Sequence, residues 1–310
     1  MDHDPAAGWI RSGPALKAEE TPQKEIASVS CGLDRFAVRM SEAVETEEGS
    51  VIAATRPEPY ERTPPSLKEY HYRESWVGSM SAYNLKGEEL HTWRYAVEDD
   101  ADRTKLADRV AADVAWVARA RPGIAVHCVQ DGAKELRALP EALARALPAS
   151  TKPVELVDFE HLMGYLDNVV DECEPDGDPH QMKSWYRGEL LRDDGAIDRI
   201  WRSLREKTKR LPGRNTNARK AVAAAVSYIK TRKHKMRYAS PYAANLPIGS
   251  GATESTCWQM QQRVKLPGQS WETHGLRGIL AMRALALSDR WDTAWQPYAA
   301  THRKEVRISA

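Results

Sequence analysis

What this chain lacks narrows its function first. No apolar run approaches the ~20 residues that a membrane-spanning helix requires. Residues 1–20 hold Asp2, Asp4, Pro5, Arg11 and Pro14 and no apolar segment of the secretory-signal kind. The expectation is a cytoplasmic protein with no membrane partner. Cysteine is scarce. Cys31, Cys128, Cys173 and Cys257 form no C-x-x-C pair, which removes zinc-ribbon and thioredoxin chemistry and predicts free thiols. Cys128 stands beside His127 without a second such pair, so core packing is its expected role. Net charge is also nearly absent, at +1, which on its face argues against a nucleic-acid partner.

That sum conceals a division. Residues 1–180 hold 20 Lys and Arg against 34 Asp and Glu, net −14. Residues 181–310 hold 25 against 10, net +15, and 181–240 alone holds 17 against 5. Such asymmetry points to a polyanion-binding surface on the second half.

Periodicity divides the chain further. Residues 1–25, rich in Pro, Gly, Ala and charge, read as a disordered lead-in. The run from Ala27 to Asp34 alternates like a strand, and Phe36 to Met40 is its continuation or partner. Residues 41–66, acidic and then proline-rich, read as a loop. Strands are expected over His71–Tyr83 and Leu90–Tyr95, joined by the Asn84–Gly87 turn. Leu106, Val110, Val114 and Val117 then share a helical face, and Ile124–Val129 is a buried strand ending at Gln130-Asp131-Gly132. A helix, a strand over Pro153–Asp158 and another helix follow. A meander followed by βαβ units predicts an α/β fold: a mixed sheet with helices on its faces. From Lys183 to Tyr238 the chain reads as helical and basic, interrupted at Leu211–Asn215.

Asp34 and Asp131 fall at carboxyl ends of strands, where sites in open α/β sheets gather. Strand-end carboxylates joined by one from a helix can hold two divalent metals about 4 Å apart, which activate an attacking oxygen and stabilise a leaving one. Mg2+ suits such hard ligands. The third acid is Glu254. It follows Gly249-Ser250-Gly251, a small-residue helix entry in which Ser250 is a candidate N-cap. Asp158 and His161 form a strand-end D-x-x-H and are auxiliary candidates. Candidate DNA contacts are Arg202, Arg205, Lys209, Arg210, Arg214, Arg232, Lys233, Lys235 and Arg237 in the basic block, with Arg263 and Lys265 after Glu254. Trp258 and Trp271 are candidates for stacking on bases, though burial is the commoner fate of Trp.

The run Asn245-Leu246-Pro247-Ile248-Gly249-Ser250-Gly251-Ala252-Thr253-Glu254 resembles the C-terminal signature of bacterial insertion-sequence transposases of the ISKra group. Arg263-Val264-Lys265, Gln269-Ser270-Trp271 and Asp289-Arg290-Trp291-Asp292 are similar too, as are the blocks around Asp34, Asp131 and Asp158. The resemblance covers residues 26–296. It implies a DDE transposase with a ribonuclease-H-like core in two parts, 26–173 and 247–296. An all-helical basic insertion, 174–246, precedes the last core helix, and a basic tail occupies 297–310. It implies Asp34, Asp131 and Glu254 as catalytic metal ligands, two Mg2+ ions with Mn2+ as substitute, double-stranded DNA as transposon end and target, a homodimer or larger assembly on that DNA, and a place at the bacterial nucleoid. Two departures stand out. Arg35 replaces the Gly that often follows the first Asp, and the helical DNA-binding region usual before the core has no counterpart in residues 1–25. The alternative expectation is therefore a truncated, inactive DNA-binding remnant or regulator; a nuclease of the same fold acting on RNA–DNA hybrids or branched DNA is a weaker third.

Overall fold

The computed structural model describes residues 26–43, 68–173, 178–211, 213 and 216–302. The expected lead-in 1–25, most of the expected loop 41–66, the end of the tail and Arg214 lie outside them.

Five strands form one mixed sheet: β1 (Ser28–Ala43), β2 (Lys68–Tyr83), β3 (Glu89–Val97), β4 (Ala125–Gln130) and β5 (Val154–Val157). The order is β3-β2-β1-β4-β5. β1 runs antiparallel to β2 and parallel to β4, β2 antiparallel to β3, and β4 parallel to β5. Phe36–Met40, expected as continuation or partner of the first strand, is its continuation, so β1 is one unbroken strand. It looks like two segments in the sequence because its apolar face changes sides. Val29, Cys31 and Leu33 point to one face, and Phe36, Val38 and Met40, offset by one in the period of two, point to the other. Asp34 sits at the changeover.

Each face has its own cover. Helices α1 (Arg103–Ala120) and α2 (Ala138–Ala146) bury Val29, Cys31 and Leu33 together with Trp76 and Trp93. On the other face α8 (Gly251–Val264) and α9 (Thr273–Leu287) bury Phe36, Val38, Met40 and Val77. A third apolar cluster joins α3 (Phe159–Cys173) to α4 (Pro179–Arg192), α5 (Ala196–Arg210) and α6 (Asn217–Arg232). So α3, expected as a core helix ahead of the insertion, shares the insertion's apolar cluster. A short helix α7 (Ala239–Ala243) leads back to α8, and α10 (Trp291–His302) takes up residues 297–302 of the expected tail. The four cysteines are free, with Cys128 buried as expected. Among the described residues no helix is long and apolar enough to cross a membrane.

The seating of α8 depends on Gly32. Its β2 partner is Ser79, whose hydroxyl meets that of Thr253 on α8 at 2.6 Å. A Cβ at position 32 would lie 2.6 Å from Thr253 Oγ1 and 2.6 Å from the Val129 carbonyl oxygen. The second contact is backbone and cannot rotate away. Gly32→Ala is therefore expected to destabilise the protein by about 2 kcal/mol through overpacking, read as a lower denaturation midpoint at unchanged slope; unchanged stability would show that α8 does not pack this closely.

Candidate active site

Two parallel registers bring three aspartates level. The β1–β4 ladder ends at Cys31↔Cys128, and three residues further along both chains lie Asp34 and Asp131. The β4–β5 ladder ends at Gln130↔Val157, followed by Asp131 and Asp158. Adjacent strands lie about 4.8 Å apart, so Asp34, which lies within β1 and not at the strand end where it was expected, forms a row of three acids with Asp131 and Asp158, just past the ends of β4 and β5. Glu254 joins from the first turn of α8, where the helix dipole favours its charge. It is next to Thr253, the residue seated on Gly32. Three residues on, Cys257 approaches Asp34: burial first, then the Asp34 carboxylate, pushes its thiol up to about 12.

The four acids are held differently. Asp158 is buried, with 2% exposed, and is fully engaged. Oδ1 accepts the His161 backbone N–H, which makes Asp158 the cap of α3. Oδ2 accepts both the backbone N–H and the hydroxyl of Ser250, the latter at 2.8 Å. Its own N–H donates to the Gln130 carbonyl at 2.7 Å. Thus the D-x-x-H is a helix cap, and the exposed His161 ring packs on Tyr165 and Tyr228. Ser250 stands at the N-cap position, but its hydroxyl bonds no helix amide. It lies 3.1 Å from Glu254 Oε1 as well as 2.8 Å from Asp158 Oδ2, and its one proton serves either carboxylate in turn.

Asp131 is set by a turn. Its Oδ1 accepts from the Ala133 N–H at 2.7 Å, and Gly132 adopts a φ of 79°. The insertion grips this turn. The Tyr228 hydroxyl donates to the Asp131 carbonyl at 2.7 Å, and Arg232 Nε donates to the Gly132 carbonyl at 2.9 Å. Burial chiefly, with the Asp131 carboxylate adding to it, raises the Tyr228 pKa, so the phenol remains a donor. Sequence reasoning missed Tyr228 because nothing local links it to a turn 97 residues earlier. Asp34 Oδ1 accepts its neighbour's amide, Arg35 N–H, at 2.7 Å. Among the described residues none of the four acids is in an ion pair. Hard carboxylate oxygens at strand ends are the donor type Mg2+ prefers. As the side chains stand, however, no three His, Cys, Asp or Glu among the described residues form a group that could hold one ion.

The predicted DNA contacts separate into two sets. Arg232, Lys233 and Lys235 are committed inside the chain: Arg232 to Gly132 and the Tyr228 ring, Lys233 to Asp198, Lys235 to Glu155. Arg263 stacks on Trp271, whose indole N–H donates to the Val264 carbonyl at 2.9 Å, which makes Trp271 structural. Arg202, Arg205, Lys209, Arg210, Arg237 and Lys265 are exposed. Of these Arg205 lies over the Trp201 ring and Lys209 pairs with Glu206 one turn back. Trp258, one turn beyond Glu254, is 61% exposed. The chain matches no family profile, no curated protein and no solved structure.

These differences in engagement separate a framework acid from the others. Asp158→Ala removes a cap and two further bonds to a buried carboxylate, and is expected to cost about 3 kcal/mol. Asp34→Asn and Glu254→Gln are expected to change stability by about 0.5 kcal/mol or less, since each loses only a local contact. Denaturant titration of the three variants checks this; an Asp158→Ala variant as stable as the parent would refute the framework role.

Proposed function

We propose that the chain is a DDE transposase with a ribonuclease-H-like core, cleaving DNA at transposon ends and joining the freed 3′-hydroxyl to target DNA. One observation carries the reading: the row Asp34–Asp131 on adjacent parallel strands, with Glu254 brought over the same sheet face by α8. The strand order β3-β2-β1-β4-β5, with only β2 antiparallel to its neighbours, supports the core assignment. Asp34, Asp131 and Glu254 would hold Mg2+ or Mn2+, which when bound supplies an activated oxygen nucleophile and charge stabilisation for the leaving oxygen. The chain's own part is positional. Ser250 sets the Glu254 side chain, the Tyr228 and Arg232 contacts fix the turn that carries Asp131, and the Gly32 contact sets the height of α8. The exposed Arg202, Arg205, Arg210 and Arg237 bind the phosphodiester backbone.

The same exposed cations serve the second reading, a DNA-binding remnant or regulator, and a single experiment separates the two. Asp34→Ala, Asp131→Ala and Glu254→Ala are each expected to abolish Mg2+-dependent cleavage and strand transfer while DNA affinity and its salt dependence stay at the parent level. Full activity in any variant removes that residue from the site. Salt-sensitive binding by the parent chain with no metal-dependent nicking replaces the transposase with the remnant, and cleavage without strand transfer leaves a nuclease.

A further inference from the structure

On the sheet face opposite the carboxylates, a cavity of about 270 Å3 opens between the ends of β4 and β5, the turn leading into α2, and residues 231–235. Volumes of roughly 300 Å3 mark the lower end of small-molecule sites, the range of a single nucleotide rather than a larger cofactor. Its wall is apolar at Leu136, Pro140 and Leu156 and basic at Lys134, Arg137 and His234. Lys134 and Arg137 begin and end one 3-10 turn, so their side chains project the same way. Neither has a carboxylate partner among the described residues. The one acid in the lining, Glu155, is already paired with Lys235. Gln130 supplies an independent sign of a ligand. It is 6% exposed, and its Nε2 is directed at Cys128 Sγ, 2.9 Å away. Its Oε1 has no hydrogen-bond partner. A buried acceptor left without a donor is costly and rare.

An apolar wall, a lining glutamine whose buried acceptor has no donor and two cations without carboxylate partners among the described residues are the complement of one molecule type. We propose that this cavity binds a nucleoside monophosphate, with its base against Leu136 and Leu156, an exocyclic amine donating to Gln130 Oε1, and its phosphate on Lys134 and Arg137. The ligand is either a free mononucleotide or the 5′-phosphorylated end of a DNA strand; both present the same chemistry. The proposal does not rest on the catalytic reading. Gly132 and Ala133 line the cavity and follow Asp131 directly, so an occupant would brace the turn that carries that acid.

The test is calorimetric titration of the full chain in metal-free buffer with AMP, ribose 5-phosphate, and a short DNA strand with and without its 5′-phosphate. AMP is expected to bind saturably, about tenfold tighter than ribose 5-phosphate, which lacks the base. The double variant Lys134→Gln/Arg137→Gln, at exposed positions, is expected to lose about tenfold in AMP affinity at unchanged melting temperature. Preference for the 5′-phosphorylated strand over AMP, lost in the double variant, assigns the strand end; equal or tighter binding of AMP assigns the free nucleotide. No saturable AMP binding, equal binding of ribose 5-phosphate, or an unaffected double variant would overturn the proposal.

Discussion

The buried carboxylate of Asp158 is the constraint on which the arrangement of the site depends. Two segments distant in sequence meet on it: the β5–α3 junction, whose first helical turn it caps, and the Ser250 entry to α8. Its own amide reaches back to Gln130 at the end of β4. A carboxylate this deep is tolerable only because it accepts several N–H and O–H donors, and a satisfied buried anion leaves little freedom to its donors. Ser250 is thereby fixed relative to the sheet, and Glu254, one turn later, is fixed with it. The close approach of Thr253 to Gly32 sets the second coordinate of the same helix. Neither contact is chemically reactive, yet between them they decide where the reactive candidate on α8 stands.

The helical insertion is similarly tied to the site it borders. Through Tyr228 and Arg232 it holds the carbonyls of Asp131 and Gly132. Those two residues give the turn no interior strand pairing of their own, since β4 ends at Gln130. Removing Arg232 would leave the Gly132 carbonyl without its donor and strip the Tyr228 ring of the guanidinium packed on it. That is why this arginine reads as framework, while Arg202 on the outer side of α5 reads as a surface charge.

Much of this was legible from residues alone, and the failures have physical causes. The strand-end position of Asp131 followed from the punctuation at Gln130-Asp131-Gly132; period-two alternation put Asp34 on the first strand, but the strand continues past it to Ala43. Residues alone left open whether Phe36–Met40 continues β1 or pairs with it, because the buried face switches at Asp34. Asp158 and His161 looked like a ligand pair because a cap and a metal site both place polar groups at a helix start; only the donors converging on Asp158 distinguish them. Ser250 showed its cap position but not that its hydroxyl turns away from its own helix toward a residue 92 positions earlier. Lys233 and Lys235 looked free because their partners, Asp198 and Glu155, are 35 and 80 residues distant. What sequence conceals here is consistently the long-range polar contact, because its partner lies outside any local window.

The charge division acquires a second meaning from such contacts. Basic residues beyond position 180 meet acids before it at Arg187–Glu160, Lys183–Asp171 and Lys235–Glu155. The first two are substantially exposed and worth at most about 1 kcal/mol each. Their effect is on orientation: acids on α3 face basic residues of α4, and Glu155 on β5 faces the segment after α6. Part of the opposition between the two halves is therefore spent inside the molecule. The remainder includes Arg202, Arg205 and Arg210, exposed on α5 and in no ion pair among the described residues. The proposed polyanion interface is that remainder, smaller than the raw count of 17 basic residues suggests but better localised.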